Sequence, residues 1–325
     1  MLKKIDYRIL LELDKDARQS YSQIAESIGT SKQVIAYHIN TLAQEGYIRK
    51  FLTIFDLSKL GFILHKVYLR LIRISIEEEL QLVDFLKKHK NVAWLVRTEG
   101  IYDLAFALHT IDILELNALL LDMENKYGRV ISEKIVNRVL TGEFFPRDYL
   151  LEKETTTADH KAIIFQTTDA QKPLDGIDWK IIAALARDGR KTVVDMAKRI
   201  SLTADAISKR IRRLEKEKVI RNYILVVDDA KLNQLHYKIL LKITNFNETI
   251  EKKLLQFCRQ HPNITFYNRN IGFWDIEMDM EVKKAEDFRE IMRTIKTAFA
   301  DNIKEYFSLM IYDIQKFDFV PMYEF

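Results

Sequence analysis

The sequence predicts an α+β protein built from two copies of one unit, each a winged helix-turn-helix followed by a ferredoxin-like βαββαβ sensor domain. Three observations predict it. Asp178 to Arg221 lies on Asp6 to Arg49 without a gap when moved back by 172 positions, so that Ile9, Leu13, Ile35, Ile39 and Leu42 recur as Ile181, Leu185, Ile207, Ile211 and Leu214. The same offset holds downstream, where His89, Asn91, Gly100 and Asp103 fall on His261, Asn263, Gly272 and Asp275. Within each copy the apolar period changes from helical to strand-like.

Each copy begins with a helix carrying Ile9, Leu10 and Leu13 at helical spacing. Ser20 opens a second helix with Gln23 as a capping box, and Thr192 with Asp195 repeats that logic. Gly29 closes it in a left-handed conformation. Ser31, and Thr203 in the second copy, N-cap a third helix. Two short helices joined by a tight turn, the second well capped, make a helix-turn-helix. Tyr47 to Phe55 and Val219 to Val227 read as a wing and a connecting strand.

Val67, Leu69 and Leu71 then alternate with Tyr68, Arg70 and Ile72 as a strand. A helix from Ser75 to His89, strands Val92 to Thr98 and Tyr102 to His109, a helix from Asp112 to Tyr127 and a strand Ile131 to Leu140 complete the split βαβ order, which the second copy repeats. The expected boundaries are 1–50 and 176–222 for the helix-turn-helix modules, 51–64 and 223–236 for connecting strands, and 65–142 and 237–325 for the sensors. Residues 143–175 have linker composition, with Ala162 to Phe165 able to add an edge strand.

Both helices of such a sensor cover one sheet face. The uncovered positions are read as Tyr68, Arg70, Ala93, Leu95, Arg97, Ala105, Ala107 and His109 in the first copy. In the second they are Lys238, Lys242, Thr265, Tyr267, Arg269, Glu277, Asp279 and Glu281. The two faces are expected to dock within one chain, the acidic row opposing Arg70 and Arg97, which makes an intra-chain pseudo-dimer and leaves further homo-oligomerisation open.

The net charge of +4 neither demands nor excludes a polyanion, so the distribution of charge carries the weight. The lone Cys258 cannot form an intra-chain disulfide and fits a reducing compartment. No apolar run reaches about 18 residues, so a soluble cytoplasmic protein without a membrane partner is expected. Histidines and the cysteine lack metal-ligand spacing, and no phosphate-cradling glycine loop occurs, so no metal, cofactor or catalytic group is assigned.

Double-stranded DNA is the expected partner, because the exposed face of each third helix is free to enter a major groove. In the first copy it presents Lys32, Gln33, Tyr37, His38, Asn40 and Thr41, with Arg49 and Lys50 following. The second presents Thr203, Asp205, Ser208, Lys209, Arg210, Arg212, Arg213 and Lys216, then Arg221. The second module therefore anchors on phosphates and the first reads bases.

Asp178, the Asp188-Gly189-Arg190 turn, Met196-Ala197, Arg210-Ile211-Arg212-Arg213-Leu214-Glu215 and Val219-Ile220 resemble the helix-turn-helix of the Lrp/AsnC family of feast/famine transcriptional regulators. The turns Gly100-Ile101-Tyr102-Asp103 and Gly272-Phe273-Trp274-Asp275 resemble that family's glycine turn. The resemblance covers nearly the whole chain twice, whereas family members usually carry one copy. It implies a sequence-specific transcriptional regulator modulated by a small ligand such as an amino acid. By the same resemblance the effector would sit at Thr98, Gly100, Tyr102 and Asp103 and at Asn270, Gly272, Trp274 and Asp275. Two other readings remain. The architecture also looks like that of haem-biosynthetic decarboxylases, for which His109 with Arg97 is the nearest cluster, or only the second helix-turn-helix binds DNA while the first docks a protein.

Overall fold

A computed structural model describes residues 2–151, 162–166 and 170–320. Each copy opens with three helices: α1 (Lys4–Lys15), α2 (Tyr21–Ile28) and α3 (Lys32–Gln44), then α6 (Gly176–Arg187), α7 (Val193–Ile200) and α8 (Ala204–Lys216). Their caps are those the sequence implies. Ser20 Oγ accepts from the Gln23 amide while the Gln23 side chain accepts from the Ser20 amide, and Ser31 and Thr203 cap α3 and α8. Gly29 ends α2 at φ 78°, and Ser201 adopts the same left-handed region at φ 58° despite its Cβ. Ile9, Leu13, Ile24, Ile35, Ile39 and Leu42 close one small core, and the equivalent residues of the second copy join a larger one.

The expected wing hairpins do not form. One strand follows each module, β1 (Ile48–Phe55) and β7 (Ile220–Val227), and the two pair antiparallel with each other, Phe51 opposite Leu225. A strand whose backbone groups find a partner in the other copy needs no second arm of its own. Matched side chains reinforce the ribbon. Arg18 donates to the Gly189 carbonyl at 2.9 Å and Arg190 to the Ala17 carbonyl at 2.6 Å.

The sensors comprise β2 (Ile63–Leu71), α4 (Ile76–Lys88), β3 (Val92–Glu99), β4 (Leu104–Thr110), α5 (Ile113–Tyr127) and β5 (Ile131–Phe144), then β8 (Leu235–Ile243), α9 (Glu248–Gln260), β9 (Ile264–Ile271), β10 (Ile276–Val282), α10 (Ala285–Ala298) and β11 (Ile303–Phe317). Each last strand outgrows its own sheet. β5 pairs with β2 and then β9, and β11 pairs with β8 and then β3. The order β2-β4-β3-β11-β8-β10-β9-β5 therefore closes on β2 as an eight-stranded barrel. The short strand β6 (Ile163–Gln166) attaches to the far end of β5, close to where an edge strand was expected.

Helices cover the outside. Val67, Leu69, Leu95, Phe106 and Leu108 pack under α4 and α5, and Ile239, Leu241, Tyr267, Met278 and Met280 under α9 and α10. The uncovered faces do meet inside the barrel, and Ala93 and Thr265 line it as expected, but beyond them β3 and β9 are read one residue out. Leu95 and Tyr267 lie beneath the helices, Arg97 pairs with Glu79 of α4, and Trp94, Val96, Phe266 and Asn268 point inward. Register shifts in these strands invert the alternation, and a one-residue slip exchanges faces. The acidic row is buried as expected, although its partners are not Arg70 and Arg97. Arg70 is exposed, and the carboxylates meet Lys66, Lys238, His236 and Arg147.

Candidate nucleic-acid interface and effector site

Capping and the Ile35–Ile39–Leu42 stripe fix α3 against its own core, which leaves Lys32, Gln33, Tyr37, Asn40 and Gln44 exposed and Thr41 half-buried. On α8 the stripe Ile207–Ile211–Leu214 leaves Asp205, Lys209, Arg212 and Lys216 exposed at the equivalent positions, with Ser208 half-buried. Lys209 sits 2.9 Å from Asp205 one turn earlier, and both are more than 70% exposed, so the pair is screened by water. Arg212 and Lys216 make no ion pair among the described residues.

Several of the residues expected to contact DNA also serve as internal braces. Asp178 is 1% exposed at the first turn of α6, and a buried carboxylate requires a cation. Arg210 supplies one at 2.8 Å while also reaching Asp175 at 2.7 Å, and Arg213 supplies a second. The Arg210 hydrogen bond holds the Asp175 carboxyl below its ordinary range. In the first copy His38 Nδ1 lies 2.6 Å from Asp6, so His38 turns back toward α1. Arg49 pairs with Asp228 at 2.8 Å and Lys50 with Asp318 at 2.9 Å, while Arg221 buries its guanidinium against Asp56. Thr203 is occupied as the cap of α8. The sequence carries a trace of two of these braces, the recurrence of Asp6 as Asp178, but it does not name the cation that either carboxylate meets.

The two glycine turns press against the last strand of the opposite copy. A Cβ on Gly100 (φ 138°) would lie 2.8 Å from the Ser308 carbonyl, and one on Gly272 (φ 148°) only 2.1 Å from Asn137 Oδ1. Close approach demands glycine at both. The neighbouring aspartates brace local backbone through one carboxylate oxygen each: Asp103 accepts from the Leu71 amide at 2.6 Å and Asp275 from the Ile243 amide at 2.8 Å. Tyr102 and Trp274 are buried, and with Tyr68 they form an edge-on three-ring cluster between the sheets.

The turns differ in one respect. Thr98 donates to the Tyr102 carbonyl at 2.7 Å, and the Tyr102 hydroxyl reaches Glu133. At the second turn, both amide atoms of Asn270, Asn137 Nδ2 and Trp274 Nε1 are buried without a partner among the described residues. Asn137 was not anticipated from the sequence, because the opposite copy delivers it.

Deeper in the barrel, Lys66 reaches Glu277 at 2.7 Å and Lys238 pairs with Asp279, both amines lying over the rings of Trp94 and Phe266. Burial lowers the Lys66 pKa to about 8 even with Glu277 beside it. Arg147 joins Asp14 at 2.8 Å to Glu281 at 3.1 Å, and Thr265 and Tyr149 also donate to Glu281. Asp229, His236 and Glu281 present ligand-type atoms within 4.8 Å of one another. His236 already bridges Asp229 at 3.0 Å and Asp279 at 3.1 Å. Burial alone would lower its pKa, but the two carboxylates beside it hold it up at about 10. His109 and Arg97 do not form a cluster, since His109 lies inside, its pKa lowered to about 3 by burial, and Arg97 lies under α4. The cavity here measures about 100 Å³. No helix among the described residues is long and apolar enough to cross a membrane.

A model for winged helix-turn-helix DNA-binding modules matches residues 2–49, and one for the AsnC-type helix-turn-helix domain matches residues 174–215. The chain is 30% identical over 153 residues to an uncharacterised helix-turn-helix-type transcriptional regulator of Pyrococcus horikoshii, covering 46% of this chain and 93% of that one. It is 32% identical over 99 residues to the transcriptional regulator LrpC of Bacillus subtilis, covering 30% of this chain and 67% of that one. In fold it is similar along nearly its whole length to the siroheme decarboxylase NirDL, with a TM-score of 0.64 at 14% identity, covering 99% of this chain and 95% of that one.

Proposed function

Because this chain belongs to the Lrp/AsnC family of helix-turn-helix transcriptional regulators, we propose that one molecule reads an asymmetric operator with two unlike recognition helices. The observation that carries this reading is the contrast at equivalent exposed positions. Asn40 and Gln44 of α3 correspond to Arg212 and Lys216 of α8, while the β1–β7 ribbon ties the modules together. Amide side chains suit base edges and cations suit phosphates, so α3 contributes sequence and α8 contributes grip. A symmetric dimer prefers a palindrome because its helices are identical, and these are not. Selection of duplexes from a random pool should return an asymmetric site. Enrichment of a strict palindrome would refute the reading.

The effector is proposed to bind at the Gly272 turn alone. Buried amide and indole groups without partners favour a small polar ligand such as an amino acid. An amino acid that shifts operator affinity in the wild type should lose its effect in Asn270→Ala, whereas Thr98→Ala should retain it. A catalytic role rests on likeness of fold to a siroheme decarboxylase.

A further inference from the structure

The ties that join the copies near the helix-turn-helix modules obey the internal repeat. Arg49–Asp228 has its mate in Arg221–Asp56, and the Arg18–Gly189 contact has its mate in Arg190–Ala17. Two first copies, or two second copies, could make all of them. Inside the barrel the repeat is broken. Lys66 and Lys238 are equivalent, as are Trp94 and Phe266, but the acids stand on one side only: Ala105 and Ala107 occupy the positions of Glu277 and Asp279. Lys238 faces Asp279 across β8 and β10, whereas Lys66 faces Ala107 across β2 and β4 and takes Glu277 from the other copy.

We infer that this interior is a partner-selecting surface: a first-copy sensor fits only a second-copy sensor, so each chain closes on itself and like copies reject one another. In a pair of first copies, two buried lysines would face alanines and Arg147 would keep only Asp14. In a pair of second copies, Glu277, Asp279, Glu281 and Asp229 of each partner would share Lys238 and His236. Either arrangement leaves buried charge uncompensated, the costly half of any interior ion pair. The same logic excludes, as a partner of the first copy, any single-copy sensor whose inner face lacks the acids.

The intact chain can imitate each like pair. E277A/D279A makes both inner faces neutral at these positions, and A105E/A107D makes both acidic. Combining all four substitutions restores one acidic and one neutral face with the copies exchanged. Each two-residue variant should lower the melting midpoint by about 10–20 °C or prevent folding. The four-residue variant should fold and recover more than half of that loss, because Lys66 then gains a carboxylate directly across its strand pair. Two-residue variants that melt within about 3 °C of wild type would overturn the inference. So would a four-residue variant no better than either parent, since the losses would then reflect local packing.

Discussion

Replacing Arg212 and Lys216 together with alanine removes the two cations of α8 that are exposed and bear no ion pair among the described residues. If both lie on phosphates, two fewer counterions are released on binding. The slope of log affinity against log salt should become shallower by about 1.8. Extrapolated from molar salt, that difference corresponds to about 60-fold weaker binding at 0.1 M salt. Fluorescence anisotropy of a labelled duplex between about 50 and 200 mM salt reads both quantities. The repeat supplies its own control, since N40A/Q44A alters the same positions on α3 and should change base preference with no change of slope. Equal slopes for wild type and R212A/K216A would refute the phosphate role. R210A/R213A should behave differently, leaving Asp178 buried without a cation and costing about 3 kcal/mol of stability.

The remaining predictions concern stability. His236 is held at about 10 when folded against an ordinary 6.5, so its contribution is complete below pH 6.5 and is lost as pH rises toward 10. Lys66, lowered to about 8, acts oppositely between pH 8 and 10.5, where only the unfolded chain keeps its proton. The melting midpoint should therefore fall between pH 6.5 and 8 and flatten above 8. In His236→Leu, the residue of the equivalent position in the first copy, the fall from 6.5 to 8 should vanish, along with about 3 kcal/mol of stability, because buried Asp229 loses its imidazole partner and Asp279 keeps only Lys238. A fall that persists in that variant would show another group to be responsible. Ser201→Gly should stabilise by about 0.5–1 kcal/mol, because glycine accepts the left-handed φ at no steric cost. A calorimetric midpoint that drops instead would contradict this.

Much of the fold was legible because it is locally encoded. Caps at Ser20, Ser31 and Thr203 and the apolar stripes of α3 and α8 are statements a short window can make, and duplication printed each of them twice. Partnership between distant segments was not. Nothing near Tyr47 or Val219 says that the strand pairs with its own repeat rather than folding into a wing. The inward residues of β3 and β9 were displaced by register shifts that alternation cannot show. At the site, exposed positions of α3 and α8 followed from helical geometry. The commitment of Arg210, Arg213, Arg49 and Arg221 did not, because it depends on carboxylates that the fold brings from other elements. Asn137 was invisible for the same reason.

The handover of last strands has a consequence in time. During synthesis β3 emerges with β2 and β4, but its outer neighbour β11 follows about 200 residues later, Arg97 waiting for Asp313. At ordinary rates of translation that interval is about 10–40 s. For its duration the leading sensor carries a naked strand margin that can recruit any extended peptide, including a nascent sister on the same message. The chain is thus most vulnerable to misassembly while it is half made, and slowing its translation should lower the yield of soluble product.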